Sequence, residues 1–459
     1  MNRRDFLSTV GKTAISLPLV GVGTTFSVTP VFAANPSDYR ALVCVFFLGG
    51  LDTHDVLIPY DQPSYDAWVR IRNSLVSAQG QTRARANLLP IASGSTVTAS
   101  GTFALPPEMP LLHSLYQQGR VAIAANVGPL ISATTRSDFQ NEAVPLPPRL
   151  FSHNDQQSVW QASAPEGAQF GWGGLFADAM LSAGANQVPE FSTITSLGNE
   201  LFLTGQVAKP YQVGLDGAAQ VDFLADEDVP AALKSVLRRH FAGESADQIN
   251  VISRDLGDAF AGALTANERY DAATASAEPF NTVFPTSPLG AQLRAVAQAI
   301  SVRSQLQAQR QIFFVGIGGF DTHSAQATDL PGLLTQIDGA LAAFYQSMQE
   351  LALGSNVTLF TASDFGRTLV INGDGTDHGW GAHHLVMGDA VSGGQIHGFV
   401  PPAQLDHDYD SGGGRLIPTT SVEQYAAPLG RWFGLSETEL LAALPNRANF
   451  ATEPSLIIA

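Results

Sequence analysis

The sequence has 459 residues, of which 45% are hydrophobic and 14% are charged, and its net charge is −17. This length and apolar content exclude a disordered chain and suffice for one large domain or two ordinary ones. An acidic chain without a run of basic residues is not expected to bind nucleic acid or to dock on anionic lipid. The single cysteine, Cys44, lies in an apolar run that favours core packing, and it excludes an intramolecular disulfide or a multi-cysteine metal site. Any metal must therefore be bound by histidines and carboxylates.

Residues 1–33 are predicted to be an export signal. Arg3 and Arg4 are followed by a weakly apolar stretch diluted by Gly and Thr, and small residues stand at Ala33 and Ala34. This pattern resembles a twin-arginine signal; the alternatives are an ordinary secretory signal or an amphipathic N-terminal helix. No other stretch approaches the roughly 18 uninterrupted apolar residues of a membrane span. We therefore expect a periplasmic or secreted protein without a stable membrane anchor, exported by the twin-arginine translocation machinery.

Four apolar runs predict the buried strands of a doubly wound, mostly parallel α/β sheet flanked by helices. Helical patterns occur between and after these runs. Functional residues are then expected in the loops just past the carboxyl ends of the strands. The predicted strands are Leu42–Leu48, Val121–Ala125, Ile312–Ile317 and Val357–Thr361, and the predicted helices are Gly290–Gln309 and Leu330–Leu353.

The segment at about 189–281 has a different character. It begins with a polar stretch punctuated by glycine, and two helical patterns of surface composition follow, Val229–Ala242 and Ala246–Ala277. We interpret this segment as a helical insertion or cap within a single α/β domain that covers residues 34–459.

A short motif occurs twice, each time directly after a predicted strand. Residues 49–54 read Gly-Gly-Leu-Asp-Thr-His, and residues 318–323 read Gly-Gly-Phe-Asp-Thr-His. The glycines let the chain turn sharply, and an Asp and a His one residue apart in an extended loop can direct their side chains toward one point. A carboxylate and an imidazole are common ligands of divalent metals. Alternatively, each Asp caps the following helix and each His hydrogen-bonds to the backbone.

A further predicted strand is followed by Asp364, and three of the ten histidines then occur close together at His378, His383 and His384. The glycines between His378 and His383 suit either a loop around an ion or a hydrogen-bonded glycine-rich loop. His383 and His384 begin an apolar run, so on a strand they would point to opposite faces and only one would be a ligand.

A set of motifs begins with Arg3-Arg4 in the export signal and continues along nearly the whole chain after residue 33. The later motifs are Gly49-Gly50-x-Asp52, Phe151–Gln157 with Trp160, residues 319–323, residues 363–368, residues 375–379, and residues 418–425 with Trp432. Together they resemble the exported bacterial proteins grouped as domain of unknown function 1501, a family placed in the alkaline phosphatase/sulfatase superfamily. The resemblance implies an alkaline-phosphatase-like fold.

The resemblance also implies a set of metal ligands. Enzymes of that superfamily hold two divalent ions, usually zinc, or one calcium ion in the sulfatase branch, through Asp and His residues that follow successive strands. The histidines favour zinc, with manganese or calcium as alternatives. One departure is Phe365, which stands where the superfamily commonly has a ligand His, so either His378 supplies that imidazole or one metal site is incomplete. The implied ligands are Asp52, Asp321, His323, Asp364 and His378 or His384, with His383 as the alternative to its neighbour.

The nucleophile of such an enzyme would be a metal-activated Ser or Thr. Ser152 and Thr53 are the candidates, and we favour Ser152 because it lies between the first strand and the later metal motifs. Its alternative role is to cap the helix that follows. Arg367 can hold a bound oxyanion or pair with a nearby carboxylate. Cys44 lies inside a strand and lacks the motif of a cysteine-type sulfatase.

We therefore expect an exported, metal-dependent hydrolase of phosphate or sulfate esters with a two-metal mechanism, acting on small-molecule or polysaccharide esters. The alternative is a non-catalytic exported binding or assembly protein that keeps the fold and one structural ion. Phe365 at the expected ligand position and the unassigned nucleophile favour this alternative.

Overall fold

A ten-stranded mixed sheet with helices on both faces dominates the structure, a computed structural model. The structure describes residues 38–92, 101–198, 200–215, 217–218, 222–241 and 251–458. The predicted export signal at residues 1–33 lies outside the described residues. No helix in the described ranges combines the length and the apolar character that crossing a membrane requires.

The central sheet contains the four strands predicted from apolar runs. The prediction is confirmed because each run is buried on both faces, as expected for strands covered by helices. The strands are β1 (Arg40–Phe47), β2 (Ile58–Pro59), β3 (Leu89–Ile91), β4 (Phe103–Leu105), β5 (Val121–Gly128), β6 (Thr193–Thr195), β7 (Tyr211–Gly214), β8 (Gly217–Ala218), β9 (Arg310–Ile317), β10 (Val357–Ser363), β11 (Arg367–Asn372), β12 (Gly375–His378), β13 (Ala382–Met387), β14 (Ile396–His397) and β15 (Thr420–Ser421).

The strand order of the large sheet is β14-β5-β13-β10-β1-β9-β6-β7-β8, with β15 also paired to β5. Its pairs are mostly parallel, and the antiparallel strands are β13, which lies between β5 and β10, and β8 at one edge. A two-stranded sheet of β11 and β12 and a three-stranded sheet of β2, β4 and β3 lie beside it. This is the predicted doubly wound α/β class.

The helices cover both faces of the sheet. They are α1 (Gln62–Ile71), α2 (Asn73–Gln79), α3 (Pro110–Gln117), α4 (Arg136–Gln140), α5 (His153–Ala162), α6 (Trp172–Ser182), α7 (Asp222–Ala225), α8 (Ala231–Phe241), α9 (Val251–Ala275), α10 (Pro288–Ser301), α11 (Gln326–Glu350), α12 (Val422–Phe433) and α13 (Glu437–Ala443).

Strand β1 shows how the core is divided. Its alternate side chains point to opposite faces of the sheet: Val43 enters the core shared with α10 and α11, whereas Cys44 enters the core shared with α6 and α12. The Cys44 side chain is 2% exposed. Cys44 is therefore a packing residue, as its apolar surroundings predicted.

The segment 189–281 contributes strands as well as helices. β6 pairs in parallel with β9, and β7 pairs with β6, so this part extends the central sheet rather than covering it. Helix α9 packs Tyr270 against Tyr211, with ring centroids 5.7 Å apart. The sequence pattern of Thr204–Asp216 did not indicate a strand because strands this short have too few residues for a periodic signal.

The carboxyl ends of three neighbouring strands lie level with one another. Phe47 at the end of β1 pairs with Ile317 at the end of β9 and with Ser363 at the end of β10. Because the three strands are parallel, the loops that follow them begin at the same edge of the sheet. This register brings together the motifs that begin at Gly49, Gly318 and Asp364.

Candidate metal centre

The loops after β1 and β9 are in direct backbone contact at this edge. Gly49 has a φ of +113°, and a Cβ atom built on it would lie 2.4 Å from the backbone nitrogen of Asp321. Only glycine satisfies both the positive φ and the close approach. The repeated Gly-Gly-x-Asp-Thr-His motif is therefore partly structural, because its first glycine lets the Asp321 loop lie against the Asp52 loop.

Three imidazoles surround the Asp321 carboxylate. The Nε2 atoms of His323 and His378 lie 3.1 Å and 3.2 Å from its Oδ1, and the Nε2 of His153 lies 3.5 Å from its Oδ2. The Nε2 atoms of His323 and His378 are 2.9 Å apart. We call these four residues, Asp321, His153, His323 and His378, the Asp321 cluster.

The other ring nitrogen of each histidine faces an acceptor. The Nδ1 of His153 lies 2.6 Å from the Oδ2 of Asp364, and the Nδ1 of His378 lies 2.8 Å from the backbone oxygen of Phe151. The Nδ1 of His323 lies 3.3 Å from Oδ1 of Asp377. Acceptors at Nδ1 hold the proton there, so in each neutral ring the lone pair on Nε2 points toward Asp321.

A cation would satisfy these lone pairs. Two imidazole lone pairs that face each other at 2.9 Å beside a carboxylate repel unless a proton or a metal ion lies between them. His153, Asp321 and His378 each offer one ligand atom, and these atoms lie within 4.8 Å of one another. Tetrahedral ligands about 2.0–2.2 Å from one zinc ion lie about 3.3–3.6 Å apart, close to the 3.2 Å and 3.5 Å that separate the Nε2 atoms of His378 and His153 from the Asp321 carboxylate. The donor set therefore fits a divalent metal ion.

The strands and helices around the cluster fix each ligand. His378 ends β12 and pairs across the hairpin with Arg367 at the start of β11. His153 is the first residue of α5, and the preceding Phe151 has a φ of 71°. This left-handed conformation is costly for a large side chain. The backbone oxygen of the same residue, Phe151, accepts the hydrogen bond from Nδ1 of His378.

The pKa values of His153, His378 and Asp321 reflect their neighbours. The hydrogen bond to Asp364 raises the pKa of His153 against the effect of its partial burial. Burial lowers the pKa of His378. Burial opposes ionisation of Asp321, but the hydrogen bond and charge of Arg367 outweigh it and lower the pKa of that carboxyl group. Asp321 is therefore ionised at neutral pH.

Asp364 supports the cluster through its contact with His153. Its side chain is fully buried, and its Oδ2 accepts hydrogen bonds from Gln157 Nε2 at 2.9 Å and from the backbone N–H of Gly49 at 3.2 Å, besides the contact with His153. Its Oδ1 is buried and has no hydrogen-bond partner among the residues that the structure describes. In this arrangement Asp364 orients a histidine, the role that a carboxylate beside a metal-binding imidazole commonly has.

The structure places Asp52, which the sequence predicted as a metal ligand, in a buried ion pair. The guanidinium of Arg72 and the side-chain amide of Gln326 both donate to its Oδ2, and the backbone N–H of His54 donates to its Oδ1 at 3.2 Å. The sequence did not indicate this pair because Arg72 lies at the end of α1, in a segment without a motif.

His383 and His384, also predicted as metal ligands, make their contacts outside the Asp321 cluster. Both are buried on β13, where the Nδ1 of His383 accepts from the backbone N–H of Asn126 at 2.9 Å and the ring of His384 packs edge-on against Trp160 at 4.9 Å. Burial lowers the pKa of each to about 3. None of their hydrogen bonds among the described residues reaches the Asp321 cluster, and they are neutral residues of the core.

The predicted hydroxyl candidates differ in accessibility. The Thr53 side chain is fully buried, and its Oγ1 accepts a hydrogen bond from the backbone N–H of His383 at 2.8 Å. Ser152 is partly buried and precedes His153 as the N-cap residue of α5. Its hydroxyl makes no capping bond to the backbone; it donates to the Asp155 carboxylate at 2.9 Å.

Of the two roles predicted for Arg367, holding an oxyanion or pairing with a nearby carboxylate, the structure shows the pairing, with Asp321. Its side chain is fully buried, and its Nη1 lies 2.7 Å from Asp321 Oδ1 and donates to the backbone oxygen of Gly49 at 3.1 Å. It stabilises the negative charge of Asp321 and holds the β1 and β9 loops together.

Sequence reasoning missed His153 as a member of the cluster. A signal was present, because His153 lies within the Phe151–Gln157 motif, but the sequence prediction assigned a role in that motif only to the neighbouring Ser152. His153 is separated from Asp364 by 211 positions in the chain, so no local spacing pattern connects the two. Of the predicted ligands, the structure brings together Asp321, His323 and His378, with Asp364 behind them.

A family model with the description "Protein of unknown function (DUF1501)" matches residues 39–443. A search of curated proteins found no match.

Among solved structures, the chain is similar to PsFucS1 sulfatase from Pseudoalteromonas sp., with 9% identity, a TM-score of 0.36, and coverage of 87% of this chain and 68% of that chain. It is also similar to the C-terminal periplasmic domain of EcEptC from Escherichia coli in complex with Zn, with 11% identity, a TM-score of 0.35, and coverage of 87% and 83%. The alkaline phosphatase from the Antarctic bacterium TAB5 has 10% identity, a TM-score of 0.29, and coverage of 89% and 99%. At these TM-scores the family assignment depends on the sequence match alone.

Proposed function

The chain belongs to the DUF1501 family, and from the geometry of its own site we propose that it is an exported, metal-dependent hydrolase of phosphate or sulfate esters. The observation that carries this proposal is the convergence of three imidazole Nε2 atoms on Asp321, with an acceptor behind every Nδ1. Histidines held in this way are typical of metal ligands.

The ion would be held by the Asp321 cluster. The converging ligand atoms of His153, His378 and Asp321 favour zinc, which takes nitrogen and oxygen ligands and in catalytic sites keeps a fourth position for water or substrate. Calcium prefers six or more oxygen ligands and has no use for imidazoles. When bound, a divalent ion supplies Lewis-acid polarisation of an ester oxygen.

The protein's own groups prepare the site for such an ester. Arg367 keeps Asp321 ionised and fixed, and Asp364 keeps the proton of His153 on Nδ1. The side chains of Asp321 and His323 are 45% and 44% exposed. This exposure leaves the centre open to a small-molecule ester or to a polysaccharide chain that carries ester groups.

Ser152 is the hydroxyl that we propose as the nucleophile. It is adjacent in the chain to His153, and Asp155 accepts its hydrogen bond and is placed to take up its proton. Thr53 is less suited because its hydroxyl is fully buried and already accepts a hydrogen bond from the backbone of His383.

The test combines metal content with hydrolysis. Purified protein is expected to contain zinc or a comparable ion and to hydrolyse at least one of three chromogenic substrates: a phosphomonoester, a phosphodiester or a sulfate ester. Asp321→Asn should abolish turnover, whereas His113→Ala, which changes a half-buried histidine outside the Asp321 cluster that contacts the backbone of Pro90, should not. Protein without metal and without turnover on all three substrates would refute the proposal.

A non-catalytic binding or assembly protein with one structural ion is the second candidate. The buried positions of Thr53 and Arg367 favour it, because neither side chain is free to meet a substrate. Bound metal that stabilises the fold, together with no turnover on the three ester classes, would support this candidate over the first.

Export depends on residues 1–33. We propose that the twin-arginine translocation machinery recognises Arg3 and Arg4 and delivers the protein to the periplasm or beyond. Replacing both arginines with lysine in the full chain should retain the protein in the cytoplasm, which cell fractionation would show. Equal export of this variant would contradict the route.

A further inference from the structure

The Asp52 carboxylate is already paired with a cationic side chain, that of Arg72. Arg72 donates from Nη2 to its Oδ2, and both side chains are 1% exposed. Gln326 donates to the same Oδ2, and the His54 backbone N–H donates to Oδ1. Both oxygens therefore have donors, and the negative charge is neutralised inside the protein. An ion at Asp52 would have to displace a buried guanidinium, and the unpaired charge that remained would be strongly unfavourable.

A second guanidinium lies at the Asp321 cluster. Gln326, which contacts Asp52, accepts from the Thr376 hydroxyl at 2.7 Å, and Arg367 Nε donates to that hydroxyl at 3.2 Å. Arg367 in turn contacts Asp321. The two arginine–carboxylate pairs, Asp52–Arg72 and Asp321–Arg367, are thus the ends of one hydrogen-bond network.

The charges of this network limit the number of ions. Asp52, Asp321, Asp364 and Asp377, the last of which faces His323, carry four negative charges, and Arg72 and Arg367 carry two positive charges. One divalent ion would neutralise this set. A second divalent ion would leave an excess of two positive charges, and at Asp52 it would lie beside side chains that are 1% exposed, where uncompensated charge is costly.

We infer that the chain holds one divalent ion, at the Asp321 cluster, and that the guanidinium of Arg72 takes the place of a second ion at Asp52. This inference rests on the proposed function, because it requires an ion at the cluster. It differs from the two-metal arrangement that the sequence led us to expect, and the physical reason is the occupied Asp52 carboxylate.

The test counts ions per folded chain. Metal-free wild-type protein is titrated with zinc, and the bound zinc is measured after gel filtration. The double variant Asp52→Asn/Arg72→Met removes the whole ion pair and leaves no unpaired buried charge. We expect one ion per chain in both proteins, without the roughly 10- to 100-fold loss of affinity that follows removal of a group supporting a ligand.

The matched control uses a second buried ion pair close in the chain. Arg83 pairs with Asp55 at 2.8 Å and also contacts Glu108, so its partners lie outside the network just described. The triple variant Asp55→Asn/Arg83→Met/Glu108→Gln removes this group of charges without leaving an unpaired one, and it shows how such a removal alone affects metal content. Asp321→Asn is expected to bind no zinc.

Each outcome separates the two proposals. Two ions per wild-type chain overturn the inference but leave a metal-dependent function intact, and loss of one of them in Asp52→Asn/Arg72→Met would identify Asp52 as a ligand. No ion in the wild type refutes both proposals. Where the double variant does not fold, the wild-type count still decides between one ion and two.

Discussion

His153 Nδ1 lies 2.6 Å from Asp364 Oδ2, a short contact between a partly exposed imidazole and a fully buried carboxylate. The contact joins the start of a helix to the end of a central strand. It turns Nε2 of His153 toward Asp321, so the orientation of this ring depends on a residue that makes no contact with solvent.

Replacing Asp364 with Asn should weaken metal binding while keeping the shape of the side chain. Loss of the carboxylate charge removes the main group that holds the proton on Nδ1 of His153, and we expect zinc affinity to fall about 10- to 100-fold. Competition with a chromogenic chelator measures the change. Asp338→Asn is the control, because Asp338 is also buried but accepts from the backbone of Leu111 and Leu112. Equal affinities of Asp364→Asn and the wild type would contradict the supporting role.

Two histidine variants distinguish the cluster from the core. His153→Ala should lose zinc binding and keep most of its stability, since the side chain is only partly buried. His384→Ala should keep zinc binding but unfold more easily, because it leaves a cavity against Trp160. Zinc titration and thermal unfolding of the metal-free proteins measure the two effects. A loss of zinc binding in His384→Ala at a temperature where it is folded would argue against the assignment.

Acid should destabilise the protein through its buried histidines. The folded-state pKa of both His383 and His384 is about 3, below the unfolded value of about 6.5. Above pH 6.5 neither state binds the extra protons. As the pH falls below that value the unfolded state takes them up first, so the free energy of unfolding decreases until about pH 3. Each histidine contributes a slope of about 1.4 kcal/mol per pH unit.

Urea unfolding at several pH values between 7 and 4 checks this slope. His384→Gln removes one titrating group and should give a shallower pH dependence than the wild type, whatever its absolute stability. The same pH dependence in both proteins would show that His384 does not titrate differently in the two states.

Cys44 should be inert in the folded protein. Burial raises the pKa of its thiol, and the thiolate is the reactive form. A chromogenic thiol reagent should therefore report no free thiol under native conditions and one per chain in urea. Rapid labelling of the native protein would show that the β1 region opens to solvent.

The fold could be predicted from sequence because its strands are long apolar runs. β1, β9 and β10 were recognised in this way, and their parallel arrangement follows from the helices between them. The closeness of Asp321 and Asp364 also follows, since both come after parallel strands that end at one edge of the sheet, whereas His378 is brought there by the separate β11–β12 hairpin. Short strands such as β6 carry too few residues to be recognised.

The rest of the site depends on long-range contacts that a motif does not contain. Asp52 has the residue type and position of a metal ligand, yet its environment is determined by Arg72 on a neighbouring helix. His383 lies in a histidine-rich stretch, but the antiparallel pairing of β13 with β5 places it beside Asn126. His153 is contributed by a helix start whose approach to Asp364 is set by tertiary packing.

The distance along the chain between His153 and Asp364, 211 positions, also bears on how the protein folds. Contacts between such remote segments form only after the entropic cost of closing a long loop has been met, and topologies rich in them fold slowly. A fragment that ends before β9 would contain His153 but no partner for it. Zinc uptake would therefore report completion of the entire tertiary structure. An ion bound there would crosslink the N-terminal and C-terminal halves of the chain, and it would do so only in the last stage of folding.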